Sequence, residues 1–169
     1  MTVATEDPTL AATWATRIAA ANDTKVVATP FIEGDSVIEA GDPTTEGGGD
    51  NSTLNGVEEV TGSDPSKYSG KFKGISPAQE KAMKSWICNK KLVVALVNQD
   101  NQIIMRDVVG DGTILDGFPI QSFFITDRNN AGFNSRDTNE IQFSMAAGWS
   151  EGISLVAPEA GFSPLVDIV

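Results

Sequence analysis

The stretch GDGTILDG, residues 110–117, is the part of the chain whose residue types come nearest to a ligand site. A phosphate-cradling turn needs glycines at fixed spacing between a strand and a helix. Here the spacing fits neither phosphate fingerprint, acids flank the glycines, and Pro119 and a strand follow. Asp107, Asp111 and Asp116 could hold calcium together with nearby carbonyls, but they do not follow the EF-hand ligand ladder. They read as turn-forming aspartates. Cys88 is the single cysteine, so no internal disulfide can form, and it reads as a small core residue. The chain contains no histidine, which removes the commonest general base, the Ser-His-Asp and Cys-His arrangements, and the commonest metal ligand. Carboxylates are plentiful, yet no local context brings two into an apolar cleft as a glycosidase requires. Asn22 and Asn51 match the glycosylation acceptor pattern, which reads as coincidence here. Neither catalysis nor a cofactor is expected.

The elements that would position a site are mostly strands. Asp7–Asn22 reads as a helix with Asp7 as N-cap, Pro8 in the first turn, and Leu10, Trp14 and Ile18 along one stripe. Val26-Val27-Ala28 follows as a strand, and Val57–Thr61, near the far end of the acidic segment, is a short strand candidate. From Lys67 to Ile75, Tyr68, Gly70, Phe72 and Gly74 alternate with Lys67, Ser69, Lys71 and Lys73, the period of a half-buried strand. That alternation puts rings and lysines on opposite faces, so the segment is no base-stacking platform. SPAQEKAMKSWICN begins with a capping box formed by Ser76 and Gln79, and Pro77 opens the helix. Its expected buried face is Ala78, Ala82, Met83, Trp86 and Ile87, with Phe72 and Leu96 as neighbours of Trp86. Leu92–Val97 and Gln102–Asp107 flank turn formers and predict a hairpin. Residues 119–126, 140–145 and 152–156 are further strands, and a polar loop separates the first two. The fold class is therefore mostly β or α+β, an antiparallel sandwich or barrel of about seven or eight strands with two helices. Residues 1–25 form an N-terminal helix or arm. Residues 26–169 form one β-rich domain with an extended loop over 33–66.

Charge is segregated along the chain. The net charge is −11, with a sequence pI near 4.3, so repulsion from nucleic acid and anionic membranes is expected. No run of 18 apolar residues is present, so no transmembrane helix is expected. MTVATEDPTLAATW lacks a basic region, so no secretory signal is expected either. Residues 26–66 carry nine acids and neither lysine nor arginine, whereas residues 67–91 carry seven lysines against Glu80 alone. The acidic segment EGDSVIEAGDPTTEGGGDNSTLNG, residues 33–56, is long for a compact domain. A solvated loop is one reading. Docking on its own basic strand and helix, or on those of a neighbouring copy, is the other, and a head-to-tail contact between copies builds rings or tubes. The interface expected from this pattern comprises Glu33, Asp35, Glu39, Asp42, Glu46 and Asp50 against Lys71, Lys73, Lys81 and Lys84.

The order of that loop, YSGKFKGIS, the helix PAQEKAMKSW and hairpins ending in NEIQFSMAAGWS resembles virion structural proteins of tailed bacteriophages, in particular tail-tube subunits. The resemblance spans about residues 26–157. It implies a β-sandwich with a flanking helix, assembly into stacked rings around a DNA conduit, copies of itself and other virion proteins as partners, and a place in the virion. An auxiliary capsid or head-tail connector subunit is the alternative within that class, and the leading Trp14 helix leaves room for it. A soluble module binding a small ligand or a basic protein, with the loop as lid, is the alternative outside it. An acidic lumen suits a DNA conduit because the genome slides without sticking. The 33–56 stretch would then be an arm that orders on assembly.

Overall fold

The computed structural model describes residues 7–49, 56–130, 132–133 and 135–168. Its frame is one long strand pairing. β4 (Ser66–Lys73) runs antiparallel to β10 (Thr138–Met145) in unbroken register, from Lys73 opposite Thr138 to Ser66 opposite Met145. The alternation read from the sequence holds: Tyr68, Gly70 and Phe72 are buried, and Lys67, Lys71 and Lys73 are exposed. β10 answers with buried Asn139, Ile141, Phe143 and Met145. Tyr68 and Phe143 are directly opposite, and their rings stack at 4.5 Å between centroids. Gly70 is required by space, because a Cβ there would lie 2.8 Å from the Tyr68 hydroxyl and 2.9 Å from an Ile32 methyl.

β9 (Phe118–Ile125) pairs with the other side of β10 and contains a bulge. Between Gln142 and Ser144 of β10 there is one intervening residue. The partners Phe124 and Gln121 have two between them. The extra residue shifts the period, so Phe118 and Ile120 before it and Phe123 and Ile125 after it all reach the core. Ser122 takes the left-handed conformation this requires, with φ 53°. β1 (Val37–Glu39) and β5 (Val93–Val94) complete a five-stranded sheet of order β1-β4-β10-β9-β5.

A second sheet has the order β11-β7-β6, from β11 (Ile153–Val156), β7 (Ile103–Asp107) and β6 (Leu96–Val97). β8 (Leu115–Asp116) also pairs with β7. The hairpin expected over 92–97 and 102–107 is thus half formed. Leu96 and Val97 pair with Ile104 and Ile103, but Val93 and Val94 cross to Pro119 and Phe118 of the first sheet. β7 divides two cores. Ile104 packs against the large cluster that holds Phe72, Phe118, Ile141 and Met145. Ile103 and Met105 join Trp14, Val156 and Phe162 in a smaller one. A third, two-stranded sheet pairs β2 (Pro43–Glu46) with β3 (Glu59–Ser63).

The helices differ from expectation in their detail. α1 spans Ala11–Ala19, shorter than the residues 7–22 expected. Asp7 does not cap it; its carboxylate accepts from the Thr9 N–H and hydroxyl in a turn before the helix. Trp14 is buried and its indole N–H donates to the Pro8 carbonyl, while Ile18 lies outward. The strand expected at residues 26–28 is absent, because the Val26 N–H donates to the Arg17 carbonyl and turns the chain back along α1. α2 (Pro77–Lys84) carries the capping box as read. Its buried face is narrower than expected: Met83 is buried, Trp86 is half-buried against Phe123, and Ala78, Ala82, Ile87 and Cys88 are exposed. The helix stops at Lys84 and continues as tight turns, with Trp86 N–H donating to Met83, so helical spacing does not carry through to Ile87 and Cys88. A 3-10 turn at Trp149–Gly152 and α3 (Pro164–Asp167) complete the described elements. Among the described residues there are eleven strands and three α-helices, most of the additional strands being two to five residues long.

Two stability outcomes follow from this packing. Phe72 has no exposed surface, so Phe72→Ala should cost about 3–5 kcal/mol, and Trp86→Ala less, in chemical denaturation. At the bulge, Ser122→Val should cost about 1–2 kcal/mol because a β-branched residue resists the left-handed region, whereas Ser122→Gly should hold or raise the midpoint.

Candidate assembly interface

The segment expected as an extended acidic loop is two different structures. Its first part belongs to the body. The Glu33 N–H donates to the Lys71 carbonyl at 2.8 Å, and its carboxylate forms an ion pair with Lys73. Asp35 is exposed in the turn that follows, and β1 then adds to β4 with Ile38 opposite Tyr68 and Glu39 opposite Lys67. Half-buried Ile38 packs on the large core, which is why this piece pairs instead of remaining a loop.

The second part is the β2–β3 hairpin. Thr44, Thr45, Val60 and Thr61 favour extended structure, and Gly47, Gly48 and Gly49 all take positive φ as the chain leaves β2. The strand candidate at residues 57–61 overlaps β3, while its partner β2 was hidden in the sequence by the low-complexity look of the acidic run. The register runs from Pro43 opposite Ser63 to Glu46 opposite Glu59, with an extra residue inserted on the β3 side. Every residue of both strands is exposed, and Val60 keeps 70% of its surface in solvent. A two-stranded ribbon with neither face covered is marginal in water. Asp42, Glu46, Glu58, Glu59 and Asp64 make it acidic, and Glu46 faces Glu59 directly across the ladder, a destabilising juxtaposition. Asp50 lies outside the described residues. At the neck, the Asp64 N–H donates to the Asp42 carbonyl at 2.9 Å. A Cβ on Gly41 would stand 1.8 Å from the Asp64 carbonyl oxygen, so only glycine fits there. A cleft of about 320 Å³ opens beside this neck, lined in part by Ile38, Gly41, Asp64 and Trp149.

The lysines also separate. Lys67 stands opposite Glu39 and Lys71 opposite Glu140, which places each pair on one face of the sheet. Lys73 is paired with Glu33. Lys84, expected on an open face, donates to Glu80 at 2.7 Å and Asp127 at 2.5 Å. Arg128 reaches the same Glu80 carboxylate at 3.3 Å and the Ile75 carbonyl at 2.9 Å, tying the 127–137 loop to α2. Lys81 is exposed and has no ion pair among the described residues.

The chemical candidates resolve as structure. Both Asp107 oxygens accept backbone N–H groups, from Val109, Gly110 and Gly112, and Asp111 accepts from Thr113. Asp116 was expected in a turn, but it is buried in β8, accepts from the Gly117 N–H and lies 3.5 Å from Arg106. Among the described residues no group of three histidines, cysteines or acids is placed to hold a metal ion. Cys88, expected in the core, is exposed beyond the end of α2. No helix is long and apolar enough to cross a membrane among the described residues.

The Lys84 cluster sets a pH response. Its ammonium, bonded to both acids, holds the Glu80 and Asp127 carboxyls below their ordinary values, and Asp127 followed by Glu80 holds Lys84 above its own. For the depressed carboxyls the stabilisation is present above the ordinary values of 4.5 and 3.8 and is lost as pH falls through the lower folded values. For Lys84 it is present below 10.5 and is lost as pH rises through the higher folded value. The thermal midpoint of Lys84→Met should therefore fall below wild type between these limits and converge on it in acid and in strong alkali. A constant offset across the scan would assign the effect to packing.

The chain matches no family model and no curated protein. Among solved structures it is similar to a chain of the "Virion of native gene transfer agent (GTA) particle", at 15% identity, with 77% of this chain and 88% of that one covered and a TM-score of 0.43. A likeness this distant leaves the role of the present chain to be argued from its own geometry.

Proposed function

We propose that the protein is a non-enzymatic, self-assembling virion structural protein, a tail-tube subunit by preference, and that the β2–β3 hairpin is the arm by which one copy grips the next. The observation that carries this reading is the hairpin itself. Nine paired strand residues are all exposed, a like-charge pair faces across the ladder, and no described residue covers either side. Such a ribbon gains its stability when a neighbour covers it and supplies positive charge. The element order that resembles tail-tube subunits points the same way, as does an acidity suited to passing DNA without holding it. The partners in this reading are copies of the chain and other virion proteins.

The test follows from where the arm begins. Glu33 and β1 are built into the sheet edge, so a deletion starting there would damage the body. Residues 42–63 can be removed instead, because Gly41 and Asp64 are already in contact and a short Gly-Ser turn closes the gap. The shortened protein should keep the wild-type thermal midpoint within a few degrees and remain a monomer by analytical ultracentrifugation. The full chain should form rings or tubes visible by negative stain. Assembly that survives the deletion would mean the hairpin is a solvated ornament.

A further inference from the structure

Seven lysines lie between residues 67 and 91, and the fold sets four of them beside acids of the same chain. Lys67 and Lys71 face Glu39 and Glu140 across the sheet, Lys73 is paired with Glu33, and Lys84 bridges Glu80 and Asp127. Lys81, Lys90 and Lys91 are left, all exposed and without an ion pair among the described residues. They cluster along one stretch of chain, the last turn of α2 and the tight turns after it, held by the Asn89 N–H on the Trp86 carbonyl and the Lys91 N–H on the Asn89 side chain. Ile87 adds exposed apolar surface among them. Lys25 and Arg136 are exposed as well, but they stand singly, one after α1 and the other in the 127–137 loop.

We propose that Lys81, Lys90 and Lys91 form the dock for the β2–β3 hairpin of a second copy. This rests on the assembly reading above and deepens it by naming the receiving surface. The two surfaces are complementary in what each lacks. The hairpin carries Glu46 and Glu59 directly opposite one another with no cation beside them among the described residues, and Glu58 lies next in sequence. A cation placed against that pair turns a repulsion into an attraction, and no described residue of the same chain supplies one. Val60, 70% exposed on β3, supplies the apolar counterpart to Ile87. The lysines of β4 are less available: Lys73 would have to leave Glu33, and Lys67 and Lys71 already stand opposite Glu39 and Glu140 on the sheet.

The experiment is a charge swap read by sedimentation velocity at low salt, where exposed ion pairs are least screened. The triple variant Lys81→Glu, Lys90→Glu, Lys91→Glu should raise the concentration needed for assembly by about ten- to hundred-fold. Adding Glu46→Lys, Glu58→Lys and Glu59→Lys to the same chain should restore it. Lys25→Glu with Arg136→Glu serves as a control for bulk charge and should change it little. If the wild type assembles and the triple variant assembles equally well, the dock lies elsewhere while the assembly reading stands. Loss of assembly without restoration by the hairpin swap would mean that a different segment occupies these lysines, which overturns the pairing. An equal loss in the control would reduce the effect to net charge and also overturn it. A wild-type chain that stays monomeric at every concentration would overturn the assembly reading itself, and the dock with it.

Discussion

The eight-residue pairing of β4 with β10 is the constraint on which the rest of the molecule depends. It joins segments about seventy residues apart in sequence, the longest closure among the described strand pairings. Its buried face is what makes that closure favourable, with Tyr68 and Phe72 from one strand set among Ile141, Phe143 and Met145 from the other. Once it forms, the outer elements have fixed edges to join: β1 and the Ile32 bridge on β4, and β9 on β10. The lysines of β4 face outward for the same reason the rings face inward. A slip of one residue would exchange the two sets.

That central pair was legible because its period is clean. Tyr68, Gly70 and Phe72 against Lys67, Lys71 and Lys73 leave only one way to face a core. The α2 N-terminus was equally legible, since a capping box is a local hydrogen-bond pattern that needs no tertiary partner. What could not be read depends on partners distant in sequence. Residues 92–97 look like one strand, yet their two halves pair with β9 and β7. Val26 has strand propensity, but its N–H is taken by the Arg17 carbonyl. The far end of α2 was misread because helical spacing was extended past Lys84 into turns that follow a different period.

The charge pattern behind the candidate interface was legible in the sequence, and the placement of its individual residues was not. Segregation of acids from lysines is visible in one dimension. Which lysines stand beside an acid depends on strand register, and only the folded chain supplies Glu39 opposite Lys67 and Glu140 opposite Lys71. The acidic run hid a similar division. Glu33 and Glu39 belong to the sheet, while Asp42 and Glu46 leave the body in the hairpin. Composition treats these acids as one population, and hydrogen bonding separates them into two.

The crossing of residues 93–97 from one sheet to the other has a mechanical meaning. Val94 is hydrogen-bonded into the first sheet and Leu96 into the second, with only Ala95 between them. Tension applied to either sheet therefore reaches the other along covalent backbone, through a tether one residue long, as well as across side-chain contacts. Sliding the sheets apart would first have to shear the β5–β9 or the β6–β7 hydrogen bonds. Under load such a tether would keep the two sheets a single mechanical body, with the uncovered hairpin outside it.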